Sequence, residues 1–120
     1  MIGVRGWKPQ ANKYGNQKTE IDGIVFASRH EASRYVELKY MERAGMIWGL
    51  KTQVPYELIP AQRDESGKVV ERAVTYVADF VYWKDSRTCV VEDAKGYRTD
   101  VYKLKKKLML YVHGIRIQEV

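Results

Sequence analysis

VVERAVTYVADFVYW (residues 69–83), KDSR (84–87) and TCVVEDAK (88–95) form the stretch on which the fold turns. Its outer segments are rich in β-branched and aromatic residues, which suit a pleated, half-buried surface. The polar tetrapeptide between them is a hairpin-like turn. Gly96 ends the second strand. Thr99 can cap a helix over residues 100–112, with Val101, Leu104, Leu108 and Tyr111 on one face as its expected apolar stripe. His113 and Gly114 stop that helix, and IRIQEV (115–120) alternates as a final strand. Strand, helix and strand in this order predict a right-handed parallel crossover.

Upstream, residues 46–60 are extended, with Pro55 marking an edge or a break. AQRDESGK (61–68) reads as a polar loop. Ser28 and Glu31 have capping-box spacing and open a helix over residues 29–44, which Gly45 closes. Residues 20–26 form a short turn entering a strand or extended segment. Residues 1–19 carry Arg5, Lys8, Lys13 and Lys18 without periodicity, a basic N-terminal arm ahead of a single domain over 20–120. The expected fold class is α/β, in the order α-β-β-β-α-β: a mixed β-sheet flanked by two helices, one on each face or both on one.

The chain has 120 residues, enough for one domain with its own core. No apolar run reaches the roughly 20 residues that span a bilayer, and the basic start lacks the apolar stretch of a secretory signal. A lone cysteine, Cys89, excludes an internal disulfide and a cysteine zinc cluster, so a reducing cytoplasm is expected. Cys89 itself reads as a small buried or half-buried residue. Two histidines, His30 and His113, are too few and too separated for a zinc site. No phosphate-binding glycine loop is present. Lys and Arg number 21 against 15 Asp and Glu, a net charge of +6 that favours polyanionic partners, nucleic acid first.

Asp79 is the lone acid in the apolar part of its strand. In the next strand, Asp93 and Lys95 point the same way, since strand side chains alternate. If the two strands pair as a hairpin, Asp79 and Asp93 sit side by side. Two carboxylates that close repel unless a cation neutralises them, and an oxygen-only donor set suits Mg²⁺ or Mn²⁺. A one-residue slip would turn Glu92 inward instead; Lys95 in phase with Asp93 argues against it. Simpler roles stand beside these. Glu31 is placed to cap its helix, Asp79 to pair with a Lys or Arg, and Asp93 with Lys95 at a strand end.

Asp79 followed by Asp93-Ala94-Lys95 resembles the D…(D/E)-x-K core of the PD-(D/E)XK, or restriction-endonuclease-like, nuclease superfamily. More narrowly, nearly the whole chain resembles a family of small bacteriophage proteins in that superfamily. The matching stretches are DGIVFASRHEA (22–32), QVPYELIP (53–60), YVADF (76–80), VEDAKG (91–96) and KLKKKL (103–108). The proline of the superfamily's name is Ala78 here, and Asp93 stands in the D/E slot. The resemblance implies that Asp79 and Asp93 ligate Mg²⁺ together with the carbonyl of Ala94. It implies further that Lys95 orients the attacking water and stabilises charge on the scissile phosphate. Glu31 would hold a metal water or a second metal, with Gln53 as a polar accessory. Independently of the resemblance, charge and position suggest that some of Lys13, Lys18, Arg98, Thr99, Lys103, Lys106 and Lys107 meet a DNA backbone, the simpler role of the lysine run being a solvated helix face. The expected activity is a Mg²⁺-dependent DNA endonuclease, structure-specific like the Holliday junction resolvases, phage-encoded, acting in the host cytoplasm as a homodimer. The alternative is a catalytically silent DNA-binding or recombination accessory protein on the same fold.

Overall fold

A computed structural model describes residues 17–94 and 97–120. Most of the expected basic arm, Lys13 included, lies outside the described residues, as does Lys95. The described chain is a mixed α/β structure with an open four-stranded sheet and two helices.

It opens with a hairpin, β1 (Thr19–Ile21) and β2 (Ile24–Phe26), where the sequence suggests a short turn entering a strand or extended segment; the strand before the turn, β1, is the addition. Asp22 and Gly23 make the connection with φ of 55° and 78°, the two positive values that a tight hairpin turn requires. Ser28 then caps α1 (Arg29–Arg43), its hydroxyl accepting the Glu31 N–H at 3.1 Å. Left-handed Gly45 ends the helix, and the Met46 N–H reaches back to the Met41 carbonyl at 2.9 Å. Ala32, Tyr35 and Leu38, spaced by three, bury one face of α1 against Phe26, Ile47, Phe80, Tyr82 and Val90. The Tyr35 hydroxyl donates to Asp22 at 2.9 Å and ties the helix to the hairpin turn.

The main sheet runs β3 (Trp48–Ile59), β6 (Val74–Trp83), β7 (Cys89–Asp93), β8 (Gln118–Glu119) from edge to edge. The first two pairings are antiparallel and the last is parallel, as the crossover through a helix demands. Pro55 is accommodated because β3 is an edge strand. The polar loop turns back through a small hairpin, pairing β4 (Gln62–Arg63) with β5 (Val69–Glu71) just after it, so residues 69–83 form two strands rather than one.

The crossover helix, α2 (Asp100–Leu108), gives way to a π-helical turn, Met109–His113, and stops at left-handed Gly114. Its buried face is not the expected one. Tyr102 and Met109, two turns apart, pack on Tyr76, Ala78, Val81, Val91, Leu58 and Ile117 to form a second core. Val101, Leu104 and Tyr111 of the expected stripe face solvent, and only Leu108 is partly buried. Tyr102 wins the buried position because it offers both a large ring, packed against Tyr76, and a hydroxyl that donates to Glu119 at 2.8 Å. Cys89, expected to be at least half-buried, is exposed at the start of β7.

The two cores lie on opposite sides of the sheet, since neighbours Phe80 and Val81 belong one to each. Even-numbered residues then change sides along the strands. Tyr76 and Ala78 of β6, with Val54 and Tyr56 of β3, join the α2 core; Phe80 and Tyr82, with Leu50, join the α1 core. The switch falls between Thr52↔Phe80 and Val54↔Ala78, at Gln53 opposite Asp79. Gln53 takes φ of 54°, rare outside glycine, and this breaks the alternation. Among the described residues, no helix is long and apolar enough to cross a membrane.

Candidate functional site

The break in alternation frees Asp79 from either core. Its Oδ2 accepts the backbone N–H of Ala94, just past the end of β7, at 2.8 Å. Its Oδ1 accepts from the Gln53 side-chain amide at 3.4 Å. The same Gln53 nitrogen donates to Glu31 Oε2 at 3.0 Å. One amide thus bridges a carboxylate of the sheet and a carboxylate in the first turn of α1.

Asp93 comes next in the ladder after Phe80↔Glu92 and lies opposite Asp79 by the same register. It is 1% exposed, and its Oδ2 accepts the Tyr76 hydroxyl at 2.5 Å. Asp79 and Asp93 together line a cleft of about 280 Å³ whose other wall is the start of α2: Thr99, Val101, Tyr102 and Lys105. Burial pushes the Tyr76 and Tyr102 hydroxyls up, and the charge of Asp93 adds to both, so both stay protonated donors.

Glu31 registers the crowding of acids. Burial, followed by the charges of Asp79 and Asp93, pushes its carboxyl up to about 7, against the pull of the Ala27 backbone N–H. Glu31 therefore does more than cap its helix: the cap is the Ser28 hydroxyl, while the Glu31 carboxylate turns toward Gln53.

Glu92 points the other way, as alternation requires. It is fully buried on the α1 side, where Arg34 binds it with Nε at 2.9 Å and Nη2 at 2.6 Å and the Tyr82 hydroxyl donates a further bond. That fork-on-carboxylate pair raises the already basic Arg34 further.

The expected DNA-contacting residues divide. Thr99 caps α2, accepting the Tyr102 N–H at 3.0 Å, and lines the acidic cleft. Arg98 and Lys106 hold Glu119, at 2.7 and 3.2 Å. With Lys103 and Lys107, they line a second recess away from the acids. Lys18 is exposed just before β1. Lys105, part of KLKKKL but not among the expected DNA contacts, lies in the acidic cleft; its signal is its place on the Thr99–Val101 side of α2. Tyr76, which holds Asp93, heads the YVADF stretch but is not among the expected site residues.

The donors are hard carboxylate oxygens, and among the described residues Lys105 is the cation lining the cleft. Among the described residues, no group of three His, Cys, Asp or Glu side chains is arranged to hold a metal ion. Gln53 instead bridges Glu31 and Asp79, while Tyr76 holds Asp93.

A family model described as "Protein of unknown function (DUF1064)" matches residues 11–117. No curated protein and no solved structure matches the chain.

Proposed function

This chain belongs to the DUF1064 family, proteins of unknown function, and from that premise we propose that it is a divalent-cation-dependent endonuclease acting on DNA. The observation that carries the reading is the meeting of Asp79 and Asp93, from adjacent strands, in one cleft with Lys105 and the capped start of α2. Support comes also from the sequence resemblance to PD-(D/E)XK nucleases and from the α-β-β-β-α-β order of α1, β3, β6, β7, α2 and β8.

Asp79, Asp93, Glu31 and the carbonyl of Ala94 would hold Mg²⁺ or Mn²⁺. The donors suit such a cation in kind, not in their present arrangement: burial and then the charge of Asp79 lift Glu31 to about 7, and the Gln53 amide already supplies a weak positive pole between those two carboxylates. When bound, the cation supplies Lewis-acid charge at a phosphate oxygen and acidifies its water. The protein's own groups do the rest. Lys105 attracts the phosphate into the cleft, and the first turn of α2 offers its dipole to it. Tyr76 fixes the orientation of Asp93 through its hydroxyl. The Ala94 N–H fixes Asp79. Lys95, by resemblance, orients the attacking water. One copy carries one such site, so paired cuts across a branched substrate call for a homodimer. If the chain is phage-encoded, as the sequence resemblance to small bacteriophage proteins implies, the activity belongs to the host cytoplasm.

That protein donors already hold the three acids, Gln53 on Glu31 and Asp79 and Tyr76 on Asp93, favours a second reading, a DNA-binding accessory protein without catalysis. One gel decides. Four-way junction, linear duplex and single strand are incubated with the full chain in EDTA, Mg²⁺ or Mn²⁺. Cleavage that requires the cation and disappears in Asp79→Asn supports the nuclease. Binding without cleavage in any cation supports the accessory protein. Cation-dependent cleavage retained by Asp79→Asn overturns the site.

A further inference from the structure

We propose that the recess on the outer flank of α2 is a second site, one that grips the phosphates of a nucleic-acid strand next to the acidic cleft. The recess has a volume of about 470 Å³ and is lined by Arg98, Lys103, Lys106, Lys107, Arg116 and Glu119. Five cations against one carboxylate give it a strong positive field, focused by the apolar walls of Leu110 and Ile117.

Glu119 organises the basic recess. It accepts from Arg98 at 2.7 Å, from Lys106 at 3.2 Å and from the Tyr102 hydroxyl at 2.8 Å. These contacts, that of Arg98 foremost, hold its carboxyl down at about 2, so it stays charged under all working conditions. Two of the five cations are thereby fixed in place, which lowers the side-chain entropy lost on meeting an anion. Lys103, Lys107 and Arg116 are exposed at the rim. Arg116 joins them only through the fold, from the segment that leads into β8.

Helix α2 is the partition between the two recesses. Its Thr99, Val101 and Lys105 side faces the acids, and its Lys103, Lys106 and Lys107 side faces the basic recess. A helix is roughly 10–12 Å across, about three phosphate steps along one strand of a duplex. A strand held in the basic recess is therefore held a few phosphates from Asp79 and Asp93. Phosphodiester backbone is the occupant that matches repeated cations with no acidic residue beyond the buttressing Glu119.

The proposal rests on the nucleic-acid part of the reading above and not on its hydrolytic part. The test is fluorescence anisotropy of the full chain with a labelled DNA duplex in EDTA, titrated over a salt series. The variant Lys103→Ala, Lys107→Ala, Arg116→Ala is expected to bind about tenfold or more weakly, with its log–log salt slope lowered by about one per residue removed. A charge-matched control, Arg72→Ala, Lys84→Ala, Arg87→Ala, changes exposed cations elsewhere and is expected to stay within about threefold of wild type. Equal weakening of both triple variants, or no duplex binding by the wild type at low salt, overturns the recess as a phosphate site. Absence of cleavage with binding intact overturns only the nuclease and leaves the recess standing.

Discussion

Asp79 and Ala94 are joined by a 2.8 Å hydrogen bond from a backbone N–H to a carboxylate, across the point where β7 ends and the ladder with β6 lets go. The bond replaces a ladder bond with a side-chain one. It leaves Asp79 anchored at one oxygen while the other faces Gln53. The Asp79 carboxylate is thereby tied to the end of β7.

The anchor separates charge from shape. Asp79→Asn retains an oxygen for the Ala94 N–H and is expected to leave the unfolding midpoint close to wild type. Asp79→Ala strands that donor and is expected to cost about 1–2 kcal/mol in urea unfolding. Equal stability of the two variants would show that the bond does not form in solution.

Glu31 gives a pH signature. Its folded carboxyl sits at about 7 against an ordinary 4.5, so the fold prefers the neutral form. The stability it contributes is complete below about 4.5 and is lost as pH rises through 7. Glu31→Gln, permanently neutral, is expected to match wild type near pH 4.5 and exceed it by about 2 kcal/mol at pH 8. Adding Mg²⁺ at pH 8 should narrow that gap by raising the wild-type Tm alone. A pH-independent difference between the two proteins would refute the shift.

Arg34 and Glu92 are a buried pair with the acid fully enclosed. Arg34→Ala strands a buried charge and is expected to cost about 3–5 kcal/mol, read as a drop in urea midpoint. Arg34→Met combined with Glu92→Leu should recover most of the loss. A mild effect of Arg34→Ala would mean that Glu92 reaches water.

The rotation of α2 is checked by two truncations. Tyr102→Ala removes a buried ring and is expected to cost about 3 kcal/mol. Leu104→Ala changes a residue that is 58% exposed and should stay within about 0.5 kcal/mol of wild type. The reverse ranking would put the expected stripe back against the sheet.

What local chemistry dictates was legible beforehand. The start of α1 follows from the Ser28 cap, the strand pair from runs of β-branched and aromatic residues, and the crossover from a helix set between two strands. Asp79 and Asp93 share a cleft because antiparallel register follows from turn length and a two-residue period. Charge and acid spacing therefore determined which residues to watch. Only the tertiary structure decided how they are held. The left-handed Gln53 that turns the sheet over at Asp79, the Tyr76 that fastens Asp93, and the split of the basic residues around α2 all depend on partners 17 to 26 positions away or more. Spacing along the chain also left the orientation of α2 open. Val101 and Tyr102 differ by one residue and about 100° of helix, and the choice between them was made by the Glu119 carboxylate and the Tyr76 ring waiting on the sheet.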